Sequence, residues 1–475
     1  MNKRKSPRST ISQTASRSSA SRSAALAGVS LALVAIVLTG VYFWPDFSEP
    51  LSDENKKAGN SNPISDRSSG EPARSQVPLP SIVLPTEPIA FETKEEQERL
   101  LACLDIGLRD FPNDAQLLHA AALTYGELLQ TEKAISYFDR ALVADPRNLD
   151  VIVRRGDLLR QVGRDDDVCR DLRKAYDDGM DALPLLTALG NAYTQVGQPE
   201  DAQEILEKGL TRFPKDGALR LSLAQAQLQL EKFDAAEENA RAAISLGNTD
   251  RATYLVLSTA LLRRGASEEA QTIRSKMAPT STPEKQTDEK YHDSFRGFAS
   301  HTYEMIAGVY ASHNRLQNAS EALTRSLELD PKSIVGTTML ADLCRRNGRL
   351  KDCVLVQERL LQLQPENPVN HTNLASLLVA TGDVVHAERV LRNGARVDSI
   401  GFVNMQLARF LLATDRSQEA AKFAKQAVDK QGNVDAYLLW ISALKANGDM
   451  ASAMAAYKQA IKIAPDDPQL TQFKF

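Results

Sequence analysis

The sequence predicts an all-α protein, a right-handed α-solenoid of stacked helix-turn-helix pairs preceded by a single transmembrane helix and a disordered linker. Three observations lead to this fold class. A stretch of 21 residues near the start has no charge. The next 47 residues show no helical or strand periodicity. From there on, small residues recur every 34 residues, a period typical of helical repeats that stack on one another.

The N-terminal region has the charge pattern of a membrane anchor. Residues 1–23 carry six Lys or Arg and no acid. As a helix, residues 24–44 would span roughly 30 Å, the thickness of a bilayer core. Because basic flanks stay on the cytoplasmic side, we expect a cytoplasmic tail, a transmembrane signal anchor and an extracytoplasmic remainder at a bacterial inner membrane, facing the periplasm. A cleaved signal peptide and an organellar transit peptide are the alternatives.

Small residues form one stripe of the predicted transmembrane helix. Ala24, Gly28 and Ala32 are each four residues apart. Such spacing lets two membrane helices approach closely, which predicts weak self-association. The alternative is the ordinary small-residue content of membrane helices.

Residues 45–91 are predicted to be a flexible linker rich in proline and serine. They contain eight prolines among polar residues. A segment of this composition buries too little apolar area to offset the entropy of ordering.

The rest of the chain divides into two repeat arrays. The first covers 92–278 and contains an orphan helix and about five repeats, and the second covers 300–467 with about five more. The orphan helix is predicted to begin at Thr93, with Glu96 at capping-box spacing. Residues 279–299 are predicted to be an inter-array loop, with a lengthened helix around Phe295 as the alternative. Residues 468–475 form a C-terminal tail. Hinge and rigid joint both remain open for the break between the arrays.

Two small-residue positions define the helix pair in each unit. One position contains Ala122, Gly156, Gly190, Ala224 and Ser258, and the other contains Ala134, Val168, Ala202, Ala236 and Ala270. Small residues at these positions let the two helices cross closely. Glycines such as Gly163 and Gly348 are expected in the turn, where positive φ is needed. Prolines such as Pro146 are expected to end the second helix.

This pattern resembles the tetratricopeptide repeat. The first unit reads Leu118-x-x-Ala121-Ala122-x-x-Tyr125, followed by Ala134, Phe138, Ala141 and Pro146, and residues 434–467 match as well. The resemblance covers about ten repeats. It implies a scaffold without catalytic activity that binds protein or peptide partners on a concave face lined by the first helices.

The register of the repeats places a mixed set of side chains on that face. The candidate partner-binding residues are Arg154, Asp157, Arg160, Asn191, Gln225, Met305, Met339, Asp342, Arg345, Arg346, Asn373, Gln406 and Arg409. Leu255 is expected to add apolar surface near the break, together with Met305 and Met339. The alternative for each arginine is that it solvates a helix face.

Neither a catalytic nor a cofactor motif is found. The histidines and acids show no metal-ligand or nucleophile spacing, so we expect no enzyme activity, cofactor or metal. The body of the chain is acidic, which argues against nucleic-acid binding. Cys344 and Cys353 fall on facing helices of one unit. Small-residue packing explains them most simply, and a disulfide outside the cytoplasm is the alternative.

These features predict a membrane-anchored scaffold that assembles an envelope complex. One alternative is a regulatory or substrate-binding subunit of an envelope enzyme whose active site lies on another chain. The other is a cytosol-facing organellar import or chaperone receptor. The chaperone clamp of the resembled family needs lysine and asparagine where Thr187 and Ser222 stand, which counts against the receptor.

Overall fold

A computed structural model describes residues 82, 84–277 and 288–472. They form 22 helices. The first array consists of α1 Thr93–Asp110, α2 Ala115–Glu127, α3 Thr131–Ala144, α4 Leu149–Gln161, α5 Asp165–Asp177, α6 Leu183–Gln195, α7 Pro199–Arg212, α8 Gly217–Gln229, α9 Phe233–Ser245, α10 Arg251–Arg263 and α11 Ser267–Ser275. The second array consists of α12 Asp288–Ser312, α13 Leu316–Leu329, α14 Ile334–Arg346, α15 Leu350–Leu363, α16 Pro368–Ala380, α17 Val384–Val397, α18 Phe402–Ala413, α19 Ser417–Gln431, α20 Val434–Ala446, α21 Met450–Ile463 and α22 Pro468–Gln472.

From α2 to α21 the helices form ten pairs, in agreement with the predicted number of units. Side-chain caps begin many of the first helices by accepting backbone N–H groups. The capping residues are Asp114, Asn148, Asp216, Asp250, Ser333, Asn367 and Asn433. Second helices end two residues before the prolines, as α3 does before Pro146 and α15 before Pro365, since the residue before proline disfavours helical geometry.

The turns and crossings follow the predicted positions. Gly163 and Gly348 have φ of 75° and 67° in the turns within their pairs. Where α6 and α7 cross, a Cβ built on Gly190 would lie 2.5 Å from the Leu206 side chain. Only glycine fits there, because real Cβ contacts are longer. The small-residue pattern therefore marks the true crossing points.

The two arrays meet at their starting ends. Helix α12 packs against α13 and also against α1 and α2, whereas no comparable packing joins it to α10 or α11. One hydrophobic cluster contains Leu100 of α1, Leu117 of α2 and Phe295 of α12, all fully buried. The second array therefore continues from the beginning of the first array and not from its end.

A buried ion pair stabilises this contact of α1 and α2 with α12 and α13, which we call the joint. Glu96 of α1 is 1% exposed and pairs with Arg325 of α13. The Tyr303 hydroxyl of α12 donates a hydrogen bond to Glu96 Oε1 over 2.9 Å. Burial, followed by the nearby Glu96 charge, raises the pKa of Tyr303. The hydroxyl therefore stays protonated and serves as a donor.

The segment before α1 also docks on the joint. Ile89 N–H donates to the Glu328 carbonyl over 2.9 Å, and Arg296 Nη1 donates to the Ile89 carbonyl over 3.1 Å. The Phe91 and His292 rings stack with centroids 4.2 Å apart. The predicted linker therefore extends too far at its C-terminal end, because these apolar residues have a surface to pack on.

Three further predictions need correction. The predicted loop over 279–299 is helical from Asp288 onward, in agreement with the alternative of a lengthened helix, because Phe295 and its neighbours complete the joint core. The capping box is wrong, since the Glu96 side chain binds Arg325 and Tyr303 across the joint. The tail is partly folded: Leu470 is fully buried, and its carbonyl accepts a hydrogen bond from the Tyr457 hydroxyl over 3.0 Å.

The predicted tail 1–23, anchor 24–44 and most of the linker lie outside the described residues. Among the helices that are described, none has the length and apolar character needed to cross a membrane.

Candidate functional site

The first helices of the pairs line the inner side of each array. Consecutive first helices touch one another at α4–α6, α6–α8 and α8–α10, and again at α16–α18 and α18–α20. No comparable contact joins consecutive second helices in the described part of the chain. An array whose first helices are closer together curves toward them, so their exposed sides form the concave face.

Three predicted residues lie on α4 within a charged group. Arg154 Nε lies 2.8 Å from Asp150 Oδ2, and Arg160 Nη1 lies 3.1 Å from Asp157 Oδ1. His119 of α2 reaches the same Asp150 carboxylate, with Nε2 3.2 Å from Oδ2. Cations and acids balance in this group, so its charges are largely satisfied within the protein.

Neighbouring side chains lower the pKa of Asp150. Burial raises its pKa, but the adjacent His119 ring and the hydrogen bonds and charge of Arg154 outweigh burial and leave the pKa below its usual range. Asp150 and His119 were not among the predicted site residues. They lie on the first helices of two neighbouring units, and their contact joins one unit to the next.

The face changes character at α6, α8 and α10. Helix α6 contains no charged residue. In α8 the one charged residue is Arg220, and in α10 the charged residues stand only at the two ends. Arg220 bonds Asn239 of α9 over 3.3 Å, away from the face. We call the resulting surface the neutral stripe. It consists of Thr187, Asn191, Leu221, Gln225, Leu228, Leu255, Thr259 and Leu262.

The neutral stripe offers both apolar surface and free amide capacity. Leu255 and Leu262 are 49% and 37% exposed and, seven residues apart, share one face of α10. Asn191 Oδ1 is buried and finds no hydrogen-bond partner among the described residues. A buried acceptor without a partner is costly, so this oxygen is suited to an incoming N–H donor.

The second array places four predicted residues around α14. Met339 is half-buried, and its Cε lies 3.5 Å from where a Gly308 Cβ would be. Asp342 pairs with Arg345 and with Arg346, whose Nε is 2.6 Å from Oδ2. Arg346 Nη1 also donates to the Ala311 carbonyl over 3.3 Å. The two arginines are thus held by protein contacts, although about half of each remains exposed.

The other predicted residues lie on separate helices. Asn373 of α16 and Gln406 of α18 are half-buried, and Arg409 of α18 is exposed. Met305 of α12 is half-buried and packs against the joint core. Leu255 does not extend the surface of Met305 and Met339 as predicted, because α12 packs on α1 and α2 and not on the end of the first array.

Within the described ranges, no three histidine, cysteine or acidic side chains converge in a way that could hold a metal ion. The expectation of no metal, no cofactor and no catalysis remains a prediction.

Family models of the tetratricopeptide repeat match residues 115–148, 193–239, 300–333 and 442–467. They confirm the repeat type predicted from the sequence. Arrays of this repeat act as protein-interaction scaffolds. No curated protein matches the chain significantly.

Solved structures resemble parts of the chain. MamA from Desulfovibrio magneticus RS-1 is 16% identical, with 34% of this chain and 92% of that chain covered and a TM-score of 0.32. YrrB, described as a TPR protein with an unusual peptide-binding site, is 20% identical, with 36% and 88% covered and a TM-score of 0.29. Similarities at this level assign no function to the chain.

Proposed function

We propose that the chain is a membrane-anchored scaffold that holds protein or peptide partners on its concave face and assembles an envelope complex outside the cytoplasm. The neutral stripe is the observation that supports the binding role. When a partner covers exposed leucines, each Å² of apolar surface removed from water contributes about 25 cal/mol of favourable free energy to binding. Leu255 and Leu262 supply such a surface on the concave side.

The chemistry of the stripe favours an uncharged, extended segment of a partner. Apolar side chains of the segment would contact Leu221, Leu228, Leu255 and Leu262. Its backbone N–H groups would reach the amide oxygens of Asn191 and Gln225. The charged group on α4 bounds the stripe on one side, where a charged partner residue would have to compete with existing ion pairs.

The binding role is tested with the double variant Leu255→Asp/Leu262→Asp in the full chain. Two carboxylates in the stripe oppose burial under an apolar segment, so recovery of cross-linked partners should fall by about tenfold or more. Partners are quantified by mass spectrometry after cross-linking in cells. Val143→Asp and Val385→Asp are the matched controls, because both valines are 84% exposed on second helices. Equal loss in the controls, or no loss in the double variant, would contradict the proposal.

The anchoring role is supported by the sequence alone. Residues 24–44 are uncharged, six basic residues precede them, and Asp46, Glu49, Asp53 and Glu54 follow them. This charge asymmetry favours a cytoplasmic N-terminus and an extracytoplasmic array.

Protease accessibility of a C-terminal tag tests the orientation. Digestion in intact spheroplasts and protection in inverted membrane vesicles is the expected result. Digestion only in inverted vesicles would reverse the orientation, and release of the chain by high salt would argue against an integral anchor.

A further inference from the structure

Two cysteines lie side by side inside one helix pair. Cys344 of α14 and Cys353 of α15 are 0% and 2% exposed and belong to the same hydrophobic cluster. Cys353 occupies the crossing position at which other pairs of the second array have Ala319, Ala387, Ala420 and Ala453. The backbones of paired helices approach closely at this position, since the alanines there are fully buried.

The turn between the helices holds the two cysteines in register. Arg349 N–H donates to the Cys344 carbonyl over 3.1 Å, and Cys353 N–H donates to the Arg349 carbonyl over 3.0 Å. One residue thus bridges both backbones. Gly348, at φ 67°, makes the chain reversal that this bridge requires.

The two thiols influence each other. Hydrogen bonding between them raises the pKa of Cys344 and lowers the pKa of Cys353. By contrast, burial and then the Glu321 charge raise the pKa of Cys103 to about 11. Cys353 is therefore the better nucleophile of the two thiols, because the thiolate is the species that attacks a disulfide.

We propose that Cys344 and Cys353 form a disulfide that fastens α14 to α15 when the protein meets a disulfide oxidant. In the cell, the oxidant is that of an oxidising compartment, which depends on the proposed extracytoplasmic location. The bond would join the two helices inside one buried cluster, at the position where paired helices cross.

The reaction is thiol–disulfide exchange. The Cys353 thiolate attacks one sulfur of the oxidant disulfide, which forms a mixed disulfide and releases one oxidant thiolate. The Cys344 thiolate then attacks the Cys353 sulfur, which forms the protein disulfide and releases the second oxidant thiolate. The two cysteine protons pass to the released thiolates, so one disulfide is reduced for each one formed.

The bond would act on the charged group of α14. Asp342, Arg345 and Arg346 flank Cys344 on this helix. Fixing α14 to α15 removes relative motion of the helix that presents these arginines. The oxidised protein would thus display them in one arrangement.

Trypsin makes the bond easy to detect. Arg345 and Lys351 lie between the cysteines, so complete digestion places Cys344 in peptide 333–345 and Cys353 in peptide 352–359. The full chain is reduced, freed of reductant and treated with 2-hydroxyethyl disulfide, a small oxidant. Without reductant, mass spectrometry should find these two peptides linked, with loss of two hydrogens, and alkylation should find two of the four cysteines blocked.

Variants separate the pair from other thiols. Cys353→Ala keeps the small residue that other pairs have, and it should abolish the linked peptides. Cys103→Ser should leave them unchanged. Four free thiols after treatment, or links that involve Cys103 or Cys169 instead, would overturn the proposal.

Trapping thiols in acid-quenched cells addresses the location separately. Linked peptides in cells would support both the Cys344–Cys353 disulfide and the extracytoplasmic location. If the pair forms in the purified protein but is fully reduced in cells, the extracytoplasmic location fails while the chemistry of the pair stands.

Discussion

The interface inside a helix pair and the joint between the arrays are built in different ways. Inside a pair, small residues such as Gly190 let two helices cross, and apolar side chains fill the space beside them. At the joint, a buried ion pair and aromatic side chains connect segments about 200 residues apart in the chain. The first kind of interface is repeated in every unit. The second is made once, where α1 meets residues of α2, α12 and α13.

The largest effect is expected at the joint. Arg325→Ala removes the cation that compensates Glu96, which is 1% exposed. Leaving one member of a buried pair without its partner costs about 3–5 kcal/mol. Urea unfolding of the full chain, monitored by circular dichroism, measures this loss in the free energy of unfolding.

Lys208→Ala is the control for that experiment. Lys208 pairs with Glu204 on an exposed face of α7, with side chains 53% and 63% exposed. Exposed pairs contribute about 0–1 kcal/mol. Equal losses in the two variants would show that the joint pair does not stabilise the fold as described.

A second prediction compares two glycines at the same register position. In Gly190→Ala the new Cβ would lie 2.5 Å from Leu206, whereas in Gly156→Ala it would lie 3.4 Å from Val168 Cγ1. Overpacking typically costs about 1–3 kcal/mol. Alanine in a helix interior otherwise gains roughly 0.5–1 kcal/mol over glycine. Gly190→Ala should therefore lower the thermal midpoint, and Gly156→Ala should leave it unchanged or raise it. The same sign for both would contradict the crossing geometry.

The smallest effect is expected in the turns. Leu129 stands at φ 56° and is 88% exposed, at a turn position where other pairs have glycine. A left-handed residue other than glycine costs roughly 1–2 kcal/mol, against an entropy cost of about 0.5–1 kcal/mol for glycine. Leu129→Gly should stabilise the chain by less than about 1 kcal/mol. Val143→Gly, at a site 84% exposed within α3, should instead destabilise it, and thermal melts distinguish the two signs.

The repeated features of the fold could be predicted from the sequence, whereas the joint, which occurs once, could not. The number of pairs, their turn glycines and the prolines after second helices follow from periodicity, because each has a local cause in φ, in sterics or in a missing N–H. The joint does not follow, since the contact of Glu96 with Arg325 joins two segments 229 residues apart. The same spacing that predicted a capping box instead supplied a buried carboxylate.

The same limit applies to the candidate site, whose binding role stays a prediction. First-helix register predicts Asn191 and Gln225 as binding residues, and both lie in the neutral stripe. His119 and Asp150 were missed because their contact crosses from one unit to the next. The grouping of Leu255 with Met339 assumed that the arrays stack end to start. That assumption fails once α12 packs on α1.

Because both arrays begin at the joint, they extend away from it, the first as far as α11 and the second as far as α22. A duplicated unit added beyond α20–α21 would lengthen one arm and leave Leu100, Leu117 and Phe295 in contact. A unit inserted between α1 and α2 would separate Leu100 from Leu117 and split the shared core. Duplication of a unit can therefore lengthen either array at the end away from the joint. The four helices α1, α2, α12 and α13 share one core and must be kept together.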